Sequence, residues 1–148
     1  MTNITVATIG FTKSTAENFF GRLARASVRT VIDVRLHNTS QLAGFAKADD
    51  LVFFLSRLDG IAYRHEPLLA PTSEMLDKYK KQKDGWDAYC ADFMNLMRER
   101  GIEKCLQPQG FVGACLLCSE ATPHHCHRRL VCDYLNDKWG GLLNVEHL

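Results

Sequence analysis

Short apolar runs rich in β-branched residues alternate with amphipathic stretches along this chain of 148 residues. The runs predict strands, and between them apolar residues recur at helical spacing. This alternation favours an α/β fold with a mostly parallel sheet, because parallel neighbours are joined through crossover helices. We therefore expect a single α/β domain over residues 1–148, with about five strands and with helices on both faces of the sheet. The predicted strands are 5–10, 30–35, 61–67, 113–120 and 142–148.

Cap residues indicate where several of the helices begin and end. Ser14 is expected to cap the first helix, with Glu17 at the spacing of a capping box. Gly101 suits the end of a long helix. Thr122 and Pro123 suit the N-cap and the first position of the last helix. The predicted helices are 14–26, 47–58, 73–81, 86–101 and 123–140.

Composition argues against several classes of protein. The formal net charge is +1 and aromatic residues make up 9% of the chain, so direct nucleic-acid binding through a basic, aromatic surface is not expected. No apolar run approaches the roughly 20 residues of a membrane helix, and the first residues do not read as a secretory signal. We therefore expect a cytoplasmic protein that does not bind membranes and whose six cysteines are free thiols. The residues indicate no cofactor, and they leave the oligomeric state open.

Polar side chains stand where the predicted strands end. Ligands bind at this carboxyl edge in open parallel sheets, so these side chains are expected to line one crevice. Asp33 and Arg35 alternate along a strand and share a face, where they can pair with each other, with Arg128 or with a ligand. The candidates at the strand ends are Gly10, Thr12, Asp33, Arg35, His65, Cys118 and Glu120.

The last predicted helix is expected to bring further side chains to the same crevice. Helical spacing puts His127 on the face that carries Leu130 and Val131 and packs on the sheet. Arg128 flanks that face, and Cys126 lies on the other flank. A helix N-terminus has unpaired N–H groups and the positive end of the helix dipole. We therefore expect this end of the helix, with Arg128, to bind a small anionic ligand such as a nucleotide.

Cys118 is the candidate nucleophile in this crevice. A thiol beside a helix N-terminus and a histidine is expected to have a lowered pKa and to be reactive. His127 would act as the base, and Glu120 would accept a proton or orient His127. The sequence does not match a phosphatase loop, because His124 stands where that loop needs an arginine. A sulfurtransferase loop also needs an early arginine that is absent here.

Three alternatives to a catalytic thiol remain open. The crevice could belong to a non-catalytic module that senses a nucleotide or a modified base. Cys118, Cys126 and His127 could hold a metal ion, although our primary expectation is a protein without one. Cys118 could also pack in the core, where free cysteines are common. A zinc knuckle at Cys115 and Cys118 is disfavoured, because side chains three apart in a strand face opposite sides.

Several motifs follow one another along the chain. They are Thr8-Ile9-Gly10, Asp33-Val34-Arg35, the stretch from Ser40 to Phe45, Tyr63-Arg64-His65-Glu66-Pro67, Cys118-Ser119-Glu120, and Pro123 with Cys126-His127-Arg128-Arg129. Together they resemble the uncharacterised family known as domain of unknown function, family 488, over essentially the whole chain. The resemblance implies a small α/β protein whose motif residues gather at the strand ends, and it implies no particular reaction. This chain departs from the family pattern at two positions. Phe11 replaces a histidine of many relatives, so any role of that histidine cannot be assigned here. Thr12 replaces a commoner serine.

The sequence therefore favours a small enzyme that acts on an anionic, nucleotide-like ligand at the carboxyl edge of the sheet. The candidate catalytic residues are Cys118, His127 and Glu120. The candidate ligand-binding residues are Arg128, Arg35, Asp33, His65, Cys126, Gly10 and Thr12.

Overall fold

A computed structural model describes residues 3–38, 44–81, 85–119 and 126–148. The five strands form one sheet in the order β3-β2-β4-β1-β5, and every neighbouring pair is parallel. The predicted parallel α/β sheet of five strands is therefore confirmed. The strands are β1 (Ile4–Gly10), β2 (Thr30–Asp33), β3 (Ala62–His65), β4 (Ala114–Cys118) and β5 (Leu143–His147).

Helices connect the strands as the sequence predicts. Three short 3₁₀ turns and the four-residue helix α5 were not predicted, because such short elements show no clear periodicity. The α-helices are α1 (Ala16–Arg25), α2 (Ala48–Asp59), α3 (Ser73–Lys81), α4 (Trp86–Arg100), α5 (Ile102–Cys105) and α6 (His127–Lys138). The 3₁₀ turns are Gly44–Ala46, Pro67–Leu69 and Pro108–Phe111. Among the described helices, none has the length and apolar character of a membrane span.

The sheet separates two hydrophobic cores, because alternate side chains of a strand point to opposite faces. Helices α4 and α6 cover one face, and α1 and α2 cover the other. The first core includes Val6, Ile32, Phe93, Leu116 and Leu135. The second core includes Ile9, Phe19, Val31, Leu55 and Leu117. Helices on both faces are thus confirmed.

The N-cap of α1 differs from the prediction by one residue. Thr15 has an extended backbone, and its hydroxyl accepts a hydrogen bond of 3.1 Å from the amide of Asn18. Ser14 was the expected cap, but its hydroxyl instead accepts a 3.0 Å hydrogen bond from the Arg22 guanidinium. Ser and Thr are both good caps. Because the Ser14 hydroxyl is bonded to Arg22, Thr15 caps the helix instead. The predicted capping box with Glu17 is therefore wrong.

Helix α6 begins later than the sequence predicts. Cys126 is its N-cap, with φ −135° and ψ 137°, and His127 is its first residue. The predicted start at Pro123 is wrong, because an extended Cys126 interrupts any helix that runs from there. Thr122, Pro123 and His124 lie outside the described residues.

Strand β2 also ends earlier than predicted, at Asp33 rather than Arg35. The amide of Arg35 donates a 3.1 Å hydrogen bond to Oδ1 of Asp33 instead of joining a neighbouring strand. The side chain of Asp33 thus takes the place of a strand partner. This turn brings the backbone of residues 33–35 to the carboxyl edge of the sheet.

Candidate functional site

His127, at the start of α6, connects two neighbouring strands of the sheet. Its Nδ1 lies 3.4 Å from Sγ of Cys118, the last residue of β4. Its Nε2 lies 2.6 Å from the carbonyl oxygen of Val34, just beyond β2. The two strands are adjacent in the sheet, so one imidazole ring reaches both ends. The sequence predicted that His127 faces the sheet, but not its contact with Val34.

The contact with Val34 determines how the imidazole ring of His127 is protonated. A carbonyl oxygen only accepts hydrogen bonds, so Nε2 must carry a hydrogen. In a neutral ring Nδ1 then has a free lone pair that faces the thiol of Cys118. This arrangement allows Nδ1 to take the S–H proton of Cys118. A thiol, a histidine base and a group that orients the histidine are the parts of an activated nucleophile.

Cys126 adds a second sulfur to this pair. The donor atoms of Cys118, Cys126 and His127 all lie within 4.8 Å of one another. Their exposed fractions are only 6%, 2% and 7%. Burial raises the pKa of the Cys126 thiol well above its usual value, hydrogen bonding and charge from Cys118 raise it further, and His127 opposes this shift. We call these three residues the thiol cluster.

Aromatic side chains of α4 cover the thiol cluster. The ring of Phe93 lies 5.5 Å from the imidazole of His127, at an interplanar angle of 52°. Burial raises the pKa of the neighbouring Tyr89 hydroxyl far above its usual value, and the charges of Cys118 and Cys126 raise it further. The surroundings of the thiol cluster are therefore poor in water, and interactions between charges are strong there.

Asp33 and Arg35 form a second group at the same edge. Nε of Arg35 donates to Oδ1 of Asp33 at 2.9 Å, and Nη2 donates to Oδ2 at 2.8 Å. The exposed fractions are 3% for Arg35 and 0% for Asp33. The guanidinium also lies over the ring of Phe11, 5.2 Å from its centre. Alternation along β2 puts Asp33 on the α1 and α2 side, with Val31.

Two polar side chains, Tyr63 and Asn38, extend the hydrogen bonding of the Asp33–Arg35 ion pair. The hydroxyl of Tyr63 donates a 2.6 Å hydrogen bond to Oδ2 of Asp33, and Asn38 donates a 3.2 Å bond to the Tyr63 oxygen. Burial tends to raise the pKa of Asp33, but the hydrogen bonds and charge of Arg35, with the Tyr63 hydroxyl, lower it below the ordinary 3.8. Nε2 of His65 lies 2.8 Å from the carbonyl oxygen of Arg35 and donates to it. We call Asp33, Arg35, Tyr63 and His65 the carboxylate–arginine cluster.

Arg22 also lies at this edge, and the charge of the buried Arg128 acts on it. The guanidinium of Arg22 donates to the carbonyl oxygens of Gly10 and Leu148, each at 3.0 Å. Arg128 is 1% exposed. Burial lowers the pKa of Arg22 and the charge of Arg128 lowers it further, while the charge of Cys115 opposes this. Sequence reasoning missed Arg22; its place three residues after the buried Phe19, on the same helical face, was the available signal.

Thr12 and Gly10 hold the ends of neighbouring strands together. The hydroxyl and the amide of Thr12 both donate to the carbonyl oxygen of Ser119, at 2.9 Å and 3.0 Å. Gly10 pairs with Cys118 in the register of β1 and β4. These contacts position the loop after β1 beside the thiol. Glu120, the third residue predicted to be catalytic, lies outside the described residues.

The structure thus arranges six of the predicted site residues in two clusters that share the backbone of residues 33–35: Cys118, Cys126 and His127 in one, and Asp33, Arg35 and His65 in the other. The Val34 carbonyl accepts the hydrogen bond of His127 in the thiol cluster. The side chains of Asp33 and Arg35, on either side of Val34 in the chain, belong to the carboxylate–arginine cluster. One cluster lies on the α4 and α6 side of the sheet, and the other lies on the α1 and α2 side.

The family model described as "Domain of unknown function DUF488" matches residues 15–135 of the chain. The match includes both clusters and most of helix α6. Comparisons with curated proteins and with solved structures find no match.

Proposed function

Because the chain belongs to the DUF488 family, whose description names no activity, we propose a function on the geometry of its own site. The protein is a small enzyme in which the thiol of Cys118, paired with His127, attacks a small anionic substrate. The substrate class is a nucleotide or a similar anion that binds at the carboxyl edge of the sheet. The observation that carries this proposal is the position of His127 between Cys118 and the carbonyl of Val34.

The proposed step begins with a proton transfer inside the thiol cluster. The S–H proton of Cys118 moves to Nδ1 of His127, while Nε2–H stays on the Val34 carbonyl. Sγ then forms a bond to the electrophilic atom of the substrate, the bond to the leaving group breaks, and the proton on Nδ1 passes to the leaving group. A positioned base of this kind contributes on the order of 10²- to 10⁴-fold to a rate.

Positive charge near the same edge supports an anionic substrate. Helix α6 begins at His127 itself, and the Cys126 side chain makes no capping hydrogen bond to it, so the helix N-terminus stands beside the thiol. Arg22 and Arg128 are close enough for their charges to interact.

The state of the cysteines supports a reducing compartment. All six are free thiols, and four of them are buried. Disulfides are rare in the cytosol and form and persist in secreted proteins. We therefore propose that the protein works in the cytoplasm, where the thiol of Cys118 stays reduced.

A pair of alkylating reagents tests the proposal without knowledge of the substrate. Iodoacetate is an anion and iodoacetamide is its neutral counterpart, and peptide mapping by mass spectrometry gives the rate of each at every cysteine. The exposed Cys105 serves as the reference inside the same molecule. We expect the ratio of the iodoacetate rate to the iodoacetamide rate to be at least about tenfold higher at Cys118 than at Cys105, as for a site that adds about 1.4 kcal/mol of anion binding.

Inorganic phosphate provides a second arm of this experiment. Added phosphate should slow the reaction of Cys118 with iodoacetate and leave the reaction of Cys105 unchanged. A Cys105→Ser variant should keep the wild-type rates at Cys118 and so controls for damage to the protein. Equal rate ratios at the two cysteines, with no effect of phosphate, would overturn the proposed function.

A further inference from the structure

We propose that Cys118, Cys126 and His127 also form a binding site for one thiophilic divalent cation of the Zn²⁺ class. Two sulfur atoms and one imidazole nitrogen converge there from the end of β4 and the start of α6. The proposal goes beyond the proposed function, because it uses the second sulfur, which the nucleophilic step does not need.

The distances fit tetrahedral coordination. With Zn–S bonds of about 2.3 Å and Zn–N bonds of about 2.05 Å, tetrahedral angles put S and N about 3.6 Å apart and two S atoms about 3.8 Å apart. Sγ of Cys118 lies 3.4 Å from Nδ1 of His127, and all three donor atoms lie within 4.8 Å of one another. A shift of about 1 Å at most in each donor atom would bring the set to this geometry.

The orientation of His127 is the one that a metal ligand needs. A histidine that binds a metal through one ring nitrogen usually donates its other N–H to a carboxylate or a backbone carbonyl. Here Nε2 lies 2.6 Å from the carbonyl oxygen of Val34, and Nδ1 faces the sulfur of Cys118. The backbone of the structure therefore already holds the lone pair of Nδ1 toward the centre of the cluster.

Charge and burial favour a cation at this position. The three donors are buried, so little water could reach a thiolate there, and an unbalanced thiolate would be costly. A divalent cation would balance two thiolates and remove that cost. The donors are soft and no carboxylate of the described residues belongs to the set, so the site suits Zn²⁺ and disfavours Mg²⁺ or Ca²⁺.

Three protein ligands leave one coordination position for a water molecule or an anion. Structural zinc sites have four protein ligands, whereas sites with three keep an open position. A bound cation would also occupy the lone pair of Cys118. We therefore infer that metal binding and nucleophilic attack by Cys118 exclude each other, so that the cation protects the thiol from alkylation.

Metal titration of the full chain tests the site. The protein is prepared without an affinity tag, reduced, and freed of metal with a chelator. Co²⁺ is then added, because it replaces Zn²⁺ in such sites and its absorption reports bonds to thiolates. We expect saturation at about one equivalent of Co²⁺, its displacement by Zn²⁺, and at least about tenfold weaker binding in a Cys126→Ser variant. The matched Cys105→Ser variant should bind as the wild type does.

A labelling measurement on the wild-type protein makes the result independent of whether Cys126→Ser folds. One equivalent of Zn²⁺ should slow the reaction of N-ethylmaleimide with Cys118 and Cys126 by at least about tenfold and leave Cys105 unaffected. Binding of much less than one equivalent, or a folded Cys126→Ser variant that binds as tightly as the wild type, would overturn the metal site.

The two proposals can fail separately. If Cys118 prefers iodoacetate in the metal-free protein and no Co²⁺ binds, the metal site is wrong and the proposed enzyme stands. If Co²⁺ binds with thiolate absorption and metal-free Cys118 shows no preference for iodoacetate, the metal site stands and the proposed enzyme is wrong.

Discussion

The Nε2–H group of His127 donates a hydrogen bond of 2.6 Å to the carbonyl oxygen of Val34, a residue 93 positions earlier in the chain. This bond turns Nδ1 toward Cys118 and so determines what the imidazole can do there. It exists because β2 and β4 are neighbours in the sheet and α6 begins beside both. The bond therefore predicts both the protonation of His127 and its effect on the Cys118 thiol.

The first prediction concerns the protonation of His127. Nitrogen NMR of the imidazole should show a hydrogen on Nε2 in the folded protein, because the Val34 carbonyl accepts it. The Nδ1 resonance should change when Cys118 is replaced by alanine, since the thiol is its neighbour. A ring protonated only on Nδ1 would show that the hydrogen bond to Val34 is absent.

The second prediction concerns the effect of His127 on the thiol. Replacing His127 with phenylalanine removes the base and keeps a ring of similar shape, so the alkylation rate of Cys118 by iodoacetamide should fall by at least about 100-fold. His147→Gln is the matched control, because His147 contacts Thr8 rather than the thiol cluster. That control should retain a rate close to the wild-type rate. A His127→Phe variant that is folded and reacts at the wild-type rate would argue against the base.

The third prediction concerns the stability that Asp33 contributes. Asp33→Asn leaves the buried charge of Arg35 without its carboxylate, and breaking a buried pair in this way costs about 3–5 kcal/mol of unfolding free energy. Asp92→Asn is the control, because the ion pair of Asp92 with Lys78 is exposed and should contribute less than about 1 kcal/mol. Chemical denaturation gives both values. Equal effects of the two substitutions would contradict the account of Asp33.

The fourth prediction concerns pH. The pKa of Asp33 in the folded protein lies below its ordinary 3.8. Its ionised form therefore contributes stability that is fully present above about pH 5, and this contribution is lost as the pH falls through the folded-state pKa. The difference in unfolding free energy between wild type and Asp33→Asn should thus be constant near neutral pH and shrink in acid. A difference that grows as the pH falls would contradict this sign.

The fold was predictable because its signals are long and repeated. Five apolar runs alternate with helical patterns, and that alternation constrains the sheet to be mostly parallel. Single boundaries were less predictable. By sequence Ser14 was the better cap, with Glu17 at the spacing of a capping box, but its contact with Arg22 leaves Thr15 to cap α1.

The site was predictable only within each local segment. Helical spacing correctly put His127 on the face that meets the sheet, and alternation along a strand put Asp33 and Arg35 on one face. The contact between His127 and Val34 depends on β2 lying beside β4, and strand order is not encoded in any local pattern. For the same reason the sequence predicted one crevice, where the structure has clusters on the two faces of the sheet.

The rate at which each of the six cysteines reacts with iodoacetamide in the native, metal-free protein tests the central claim most directly. If His127 activates Cys118, this buried thiol should be labelled at least as fast as the exposed Cys105, as measured by peptide mapping. Cys115 and Cys132, which are buried, should be labelled far more slowly, because burial raises the pKa of both thiols. Labelling of Cys118 as slow as that of Cys115 and Cys132 would contradict the account.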